Sequence, residues 1–204
     1  MGKIIKELKH HLPFTIFGAI MGIVFMGLFR NMTHETAHKL FFVFHPLHVL
    51  LSALVTASIY QLHTCPKAKG QRCNLPILLA IGFVGSIGIS TLSDSVIPYL
   101  GETLIDMPNR HGHIGFMENW WLIFGVAAVG ITLAYFNPKT KFPHAGHVFI
   151  STWASIFHIM MAKGDSISLI TYLAIFIFLL LAVWLPCCIS DIVFPMLFVK
   201  NKNS

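Results

Sequence analysis

The chain has 204 residues, of which 55% are hydrophobic and 11% charged, and its mean hydropathy is +0.73. These values exclude a soluble globular domain, in which charged residues make up about a quarter of the chain, and a disordered chain, which needs low hydrophobicity. The net charge of +6 does not indicate a nucleic-acid-binding surface here, because in so apolar a chain the basic residues mark cytoplasmic loops of a membrane protein.

Six apolar runs are long enough to cross a hydrocarbon layer of about 30 Å, and none alternates as a barrel strand does. In chain order they are residues 12–30, 40–62, 75–93, 119–136, 146–162 and 168–199. The first run lacks a small-residue cleavage site after it, so we expect a retained helix. Gly18 and Gly22 form a G-x-x-x-G in it, a pattern that predicts close helix packing. The sequence therefore predicts an all-α integral membrane protein with six transmembrane helices in one membrane domain.

The distribution of lysine and arginine assigns the two sides of the membrane. Ten of these residues fall at the termini and in two loops, and four fall on the other side. The ten are Lys3, Lys6, Lys9, Lys67, Lys69, Arg72, Lys139, Lys141, Lys200 and Lys202. Because cytoplasmic loops carry the excess of basic residues, we expect both termini in the cytoplasm and the long loop 94–118 outside. The expected location is the cell (inner) membrane.

Two motifs recur along the chain at an offset near 98 residues. His45–Ser52 and His144–Ser151 both read H-x-x-H-V-x-x-S, and Ser93–Pro98 and Ser190–Pro195 both read S-D-x-V-x-P. The motifs come in the same order in both halves of the chain. Each half contains three predicted spans, and an odd number forces the second half to insert upside down relative to the first.

This pattern predicts a 3+3 inverted-topology repeat of the kind that many secondary transporters contain. Residues 1–110 form the first three-helix repeat and residues 111–204 the second. The repeat places one group of histidine and aspartate at each end of the bundle.

The two groups contain the residue types that bind transition metals. The predicted ligands are His45, His48, Asp94 and His158 in the outer group, His144, His147 and Asp191 in the inner group, and His34 and His38 as a ladder towards the outer surface. Histidines three residues apart lie on one face of a helix, and imidazole with carboxylate suits Zn, Fe, Ni, Co or Mn. Ionisable side chains within membrane spans are costly and mark ion or proton paths.

These patterns predict a membrane transporter or permease for a cation, with a divalent transition metal as the expected ion. Protonation of the same histidines would weaken metal binding and couple transport to protons. A proton relay without metal is the alternative within this class. The expected partners are the lipid bilayer, the metal ion or proton, and a second copy of the chain in a homodimer, with no nucleic acid.

A membrane-embedded metalloenzyme at the outer interface is the alternative of a different class. Residues 34–38 read H-E-x-x-H, the zinc-protease motif, with Glu35 as the base of the motif and Asp94 as a candidate third ligand. Glu118 is the alternative base for an enzyme that uses the outer group. The pairs at 34–38, 111–113 and 144–147 resemble the histidine boxes of membrane di-iron hydroxylases, but the charge rule places 144–147 on the other side of the membrane. A haem between facing histidines is a further alternative.

The four cysteines do not form a disulfide framework. Cys65 and Cys73 flank a basic loop that is expected to be cytoplasmic, which predicts reduced thiols, or a soft-metal intake site together with His63. Cys187 and Cys188 precede the second S-D motif and are expected to be small apolar core residues or thiolate ligands of the inner group.

Overall fold

The computed structural model describes residues 2–65, 73–138, 141–164, 167–188 and 194–198, and for residues 2–11, 14, 141–145, 187–188 and 196 it describes the backbone alone. Every regular element in this part of the chain is helical. The helices are α1 Gly2–Leu28, α2 His34–Thr64, α3 Leu75–Leu104, α4 Gly115–Glu118, α5 Trp120–Phe136, α6 Lys141–Ala162, α7 Leu169–Cys188 and α8 Phe194–Leu197. The all-helical prediction is confirmed for the described residues.

Three of the six predicted spans lie on helices that are long and apolar enough to cross a membrane. These are His34–Thr64, Leu75–Leu104 and Leu169–Pro186. The other three predicted spans fall on shorter apolar helices, which are Thr15–Leu28, Trp120–Phe136 and Gly146–Ala162. Outward-facing Leu104 and Ile170 are 74% and 79% exposed, as residues in contact with lipid would be. The structure therefore fits a helical membrane protein with three candidate spans, and the six-span repeat stays a prediction.

Helix α2 begins six residues before the predicted span. The hydroxyl of Thr33 accepts a hydrogen bond from the backbone N–H of Thr36 at 3.3 Å, which caps the first turn. At about 1.5 Å per residue, the 31 residues of α2 exceed the hydrocarbon thickness of about 30 Å. His34 and His38 therefore belong to the same helix as the H-x-x-H pair, as the predicted ladder required.

Helix α3 continues through the segment where the sequence predicted the end of a span and the start of an outer loop. The third span was expected to end at residue 93, but the helix runs on to Leu104. Asp94 and Glu102, both assigned to the loop 94–118, are therefore buried helical residues. This is a correction of the predicted topology, and it decides where both carboxylates lie.

The physical reason for the continuation lies around Pro98. A proline ring normally collides with the carbonyl four residues earlier and so breaks an α-helix. Here a five-residue π-helical segment, Leu92–Val96, ends just before the proline, and a second one covers Val84–Gly88. A π turn is wider than an α turn and inserts one extra residue. The wider turn leaves room for the ring, and the helix continues.

Helix α2 crosses α6 in antiparallel orientation. Phe41 of α2 contacts His158 of α6, and His48, about two turns further along α2, stacks on His147. Residue numbers therefore rise along one helix while they fall along the other. This crossing brings the two H-x-x-H motifs into contact.

The predicted G-x-x-x-G of α1 packs against α6. A Cβ atom at Gly18 would lie 2.9 Å from Oγ1 of Thr152, and one at Gly22 would collide with the side chain of Ile156. The predicted close approach at these two glycines is therefore confirmed. It allows α1 to pack closely along α6.

Two apolar clusters flank the polar residues of α2. The first gathers side chains of α1, α2, α6 and α7 and includes Phe41 and Phe157, and the second gathers side chains of α2, α3 and α5 and includes Val49 and Ile131. Along α2 the first cluster ends at Phe41 and the second begins at Val49. The polar pair at positions 45 and 48 therefore lies between two blocks of apolar core.

Hydrogen bonds between loops identify the two ends of the bundle. Lys163 donates to the carbonyl of Arg30, and the amide side chain of Asn109 donates to the carbonyl of Lys163. The segments around residues 30, 109 and 163 therefore meet at one end, which we call the His34 end. At the opposite end, Gln61 donates to the carbonyl of Tyr135, and we call this the Cys65 end.

Candidate functional site

The centre of the site is a buried carboxylate held by two imidazoles. Nδ1 of His45 lies 2.9 Å and Nδ1 of His48 lies 2.8 Å from the same oxygen, Oδ2 of Asp94. All three side chains are at most 1% exposed. The i and i+3 spacing on α2 turns both rings to one face, so the predicted grouping of these three residues is observed.

A serine from α6 completes the arrangement. The hydroxyl of Ser151 donates to Oδ1 of Asp94 at 3.0 Å and lies 2.6 Å from the hydroxyl of Ser93. Ser155 donates to the backbone carbonyls of Ser151 and Ser93. We call His45, His48, Asp94 and Ser151 the central cluster. It joins the two halves of the chain, because Ser151 belongs to the second H-x-x-H-V-x-x-S motif.

The hydrogen bonds to Asp94 select one form of both rings. A carboxylate is an acceptor only, so Nδ1 of each neutral imidazole carries the proton and Nε2 keeps its lone pair. Three donors around one buried carboxylate also offset part of the cost of removing its charge from water. Asp94 therefore fixes the orientation of both imidazole rings.

The free edge of His45 faces the short helix α4. Nε2 of His45 is buried and has no hydrogen-bond partner among the described residues. A Cβ atom at Gly115 would lie 2.7 Å from this nitrogen, so only glycine permits the observed approach of α4. Helix α4 acts as a cover over the central cluster from the His34 end.

The predicted inner group is only partly described. The ring of His147 lies 5.5 Å from the ring of His48 with an interplanar angle of 8°. The side chain of His144 and all of Asp191 lie outside the described residues, as do the side chains of Cys187 and Cys188. His147 and His48 were predicted at opposite ends of the bundle, but they are in contact. The difference arises because His48 lies 14 residues into α2, near the middle of a helix that begins earlier than predicted.

His158 does not join Asp94, contrary to the predicted outer group. Its Nδ1 lies 2.7 Å from Oε1 of Glu102, and both side chains are at most 1% exposed. Phe41 separates this pair from the central cluster, since its ring contacts His158 at 5.5 Å and stacks on His45 at 5.3 Å. His158 lies opposite Phe41 and not at the depth of His48, because the antiparallel crossing pairs it with an earlier turn of α2.

Glu102 is the residue that sequence reasoning missed at this point. It was placed in the outer loop because helix α3 was expected to end before Pro98. The signal was nevertheless present, because Asp94, Pro98, Gly101 and Glu102 follow the i, i+4, i+7, i+8 pattern of a single helix face. All four are buried.

A second polar group lies at the His34 end, where α2 meets the segment before α4. Nε2 of His38 lies 3.8 Å from Oε2 of Glu118, and Nδ1 of His113 lies 3.2 Å from Oε1 of the same carboxylate. We call His38, His113 and Glu118 the mouth triad. Burial is the largest influence on His113 and lowers the pKa of its ring below 6.5, against the opposing effect of Glu118.

The mouth triad lies next to the buried pair of His158 and Glu102, which Phe41 separates from the central cluster. The ring of His113 lies 6.0 Å from His34 and 6.1 Å from His158. The buried atoms Nε2 of His113, Nε2 of His158, Oε2 of Glu102 and Nε2 of His45 all have no hydrogen-bond partner among the described residues. Native proteins leave few buried polar atoms without a partner. Four such atoms lie between the His34 end and the central cluster, with the ring of Phe41 between the last of them, Nε2 of His45, and the other three.

The structure disfavours the protease alternative. Asp94, the candidate third ligand, is occupied by His45 and His48 in the core. Glu35, the candidate base, forms an ion pair with Lys39 at 2.6 Å on the exposed side of α2. The H-E-x-x-H motif therefore does not assemble with the aspartate that its chemistry would need.

The cysteines of the basic loop form a disulfide between Cys65 and Cys73, where reduced thiols were predicted. With both sulfurs bonded to each other, they are not available as thiolates for a soft-metal site with His63. Disulfides persist in oxidising compartments and are rare in the cytoplasm. This bond therefore conflicts with the cytoplasmic side that the basic residues predict for the Cys65 end.

Comparisons of this chain with protein-family models, with curated proteins and with solved structures found no match. The functional argument consequently depends on the geometry of the site.

Proposed function

We propose that this chain is a membrane transporter for a divalent transition-metal cation, with the central cluster as its substrate site. The observation that carries the proposal is the buried carboxylate of Asp94 between His45 and His48, at the crossing of α2 and α6. Ionisable groups in an apolar bundle are costly and usually line an ion path. A purely structural core would be served as well by apolar side chains.

The chemistry of the cluster suits a borderline cation such as Zn²⁺, Fe²⁺, Ni²⁺, Co²⁺ or Mn²⁺. Metal-binding histidines commonly donate their other ring nitrogen to a carboxylate, which orients the ring and raises its basicity. Asp94 has this role towards both histidines, so Nε2 is the nitrogen that meets the cation. The stacked His147 would supply a third imidazole from the second half of the chain.

The inverted repeat is part of this proposal, and one contact supports it. His48 and His147 occupy equivalent positions in the two H-x-x-H-V-x-x-S motifs and touch each other. Two equivalent residues in contact lie at the axis that would relate the repeats. A site at such an axis suits alternating access, in which one repeat rocks against the other.

Proton coupling follows from the same ligands. A proton and a metal ion compete for Nε2, because a protonated imidazole is not a ligand. A proton arriving through the histidines of the His34 end would therefore release the cation.

The proposal is tested by reconstituting the purified chain in liposomes and measuring uptake of each of the five cations under a pH gradient. Asp94→Asn keeps the shape of the side chain, and the hydroxyl of Ser151 can rotate to accept from the new amide. We expect transport to fall about 10- to 100-fold, the usual effect of losing a carboxylate that orients metal-binding histidines.

His63→Ala is the matched control for this experiment. His63 lies on the same helix, is exposed, and donates a hydrogen bond to the carbonyl of Ile59 in the preceding turn. We expect wild-type transport from it. Wild-type transport from Asp94→Asn as well, or no transport of any of the five cations by the wild type, would overturn the proposal.

A metalloenzyme remains the second candidate, because the mouth triad has the two histidines and one glutamate of many catalytic zinc sites. The two functions differ in their need for the second repeat. A transporter with two equivalent halves should lose function with Asp191→Ala as it does with Asp94→Ala. An enzyme with its site at the His34 end should tolerate Asp191→Ala.

A further inference from the structure

The mouth triad combines residues from three separate places in the chain. His38 lies in the second turn of α2, His113 in the segment before α4, and Glu118 at the end of α4. One ligand atom from each residue lies within 4.8 Å of the corresponding atoms of the other two. In the described part of the chain, no other group of three histidine, cysteine or acidic side chains meets this distance.

The distances are close to those of a bound cation. Ligand atoms of tetrahedral zinc lie about 2.0–2.2 Å from the metal, and therefore roughly 3.4 Å from one another. Rotation of partly exposed side chains supplies the remaining movement, since His38 and Glu118 are 36% and 37% exposed.

A second and independent observation is the state of His113. Its Nδ1 lies beside Glu118, but its Nε2 is buried and has no hydrogen-bond partner among the described residues. The two ring nitrogens diverge, so Nδ1 is the nitrogen that can meet a cation beside Glu118, and a metal bound there would fix the proton on Nε2. The adjacent His34, 6.0 Å from His113, offers a fourth ligand at the surface.

We propose that His38, His113 and Glu118 bind a divalent transition-metal ion at the His34 end, as a receiving site separate from the central cluster. Two imidazoles and one carboxylate leave at least one position for water, which permits rapid exchange. The neighbouring acid–base pairs do not compete, because Glu35 is paired with Lys39 and Asp106 with Arg110. Metal leaves this site past His113 towards His158 and Glu102, a step that rests on the proposed transport function.

The binding is tested on the purified full chain with Co²⁺, which gains intense visible absorption in a tetrahedral site. His113→Ala removes one ligand, and Glu118→Gln removes the charge with little change of shape at an exposed position. We expect each to weaken Co²⁺ binding at this site about 10- to 100-fold or more. His111→Ala is the control, because His111 is exposed, lies in the same segment and is not part of the triad. It should bind as the wild type does.

A variant at the central cluster distinguishes this inference from the proposed function. Asp94→Asn should keep the Co²⁺ spectrum of the mouth triad while it loses transport. Glu118→Gln should raise the half-saturating cation concentration for transport more than it lowers the maximal rate. Unchanged Co²⁺ binding in both His113→Ala and Glu118→Gln would overturn the receiving site and leave the central cluster untouched. A wild type that binds Co²⁺ at the triad but transports no cation would refute transport and retain the site.

Discussion

Substitution of Gly115 by alanine tests whether α4 positions the central cluster. The added methyl group would lie 2.7 Å from Nε2 of His45, whereas an ordinary contact needs at least 3.4 Å. The methyl group would also collide with Cδ2 of the same ring. The ring or α4 must therefore move by more than 0.7 Å, which is the shortfall at Nε2 alone.

Two contacts restrict the movement of the His45 ring. Its Nδ1, on the opposite side of the ring from the new methyl group, already lies 2.9 Å from Asp94. Phe41 stacks on one of its faces with an interplanar angle of 9°. Forcing extra volume into such a packed site typically costs about 1–3 kcal/mol.

A cost of this size at the substrate site corresponds to a factor of about 5–150 in binding, since each 1.4 kcal/mol is tenfold. The assay is cation transport in liposomes, together with thermal unfolding of the detergent-solubilised chain. Gly115→Ala should reduce transport by about tenfold or more on this scale and lower the unfolding temperature.

Gly112→Ala is the matched control, because it lies three residues away in the same segment and its added Cβ would meet nothing within 4 Å. It should behave as the wild type in both measurements. Identical behaviour of the two alanine variants would refute the argument that α4 holds His45 against Asp94.

Three further outcomes are expected. Ser151→Ala removes one of three donors to Asp94 and should destabilise the chain by about 1–3 kcal/mol, measured by thermal unfolding. Its loss of transport should be smaller than that of Asp94→Asn. An unchanged stability would contradict the hydrogen bond between Ser151 and Asp94. Burial lowers the pKa of His113 below 6.5, so protonation of this ring disfavours the folded state. The contribution of His113 to the free energy of unfolding should therefore be constant above pH 6.5 and fall as the pH falls below it. The His113→Ala variant should show a shallower decline, and equal declines would argue against the lowered pKa. In a chain that also carries Cys187→Ala and Cys188→Ala, Cys65 and Cys73 should react with maleimide only after reduction. Reaction without reductant would show that the membrane-embedded protein lacks this disulfide, and it would restore the cytoplasmic assignment of the Cys65 end.

The central histidine–aspartate contact was predictable because its parts are local signals. The spacing of His45 and His48 places both rings on one helix face whatever else the chain does. A carboxylate in an apolar run needs buried partners, and Asp94 was the acidic residue next to the third span. Burial and chemistry together left few alternatives for this pair.

The position of Glu102 was not predictable by the same reasoning. Pro98 is a strong helix-breaking signal in isolation, and it divided one long helix into a span and a loop. The π segment before it depends on packing in the folded bundle, and no single residue in Leu92–Val96 predicts it. His113 and Glu118 were candidates of the enzyme alternative, as part of a histidine box and as a base, but their approach to His38 was not predictable because it depends on where α3 ends.

The sequence by itself determined that this chain is helical and suited to a membrane, because long apolar runs satisfy their backbone hydrogen bonds only within helices in lipid. It also determined which side chains can bind a cation, since imidazole and carboxylate are properties of single residues. Only the tertiary structure decided the partners: Ser151 for Asp94, Glu102 for His158, and His147 for His48. The reason is that a buried polar atom takes its partner from whichever helix lies against it, and the crossing of helices is settled by side-chain packing along their whole length.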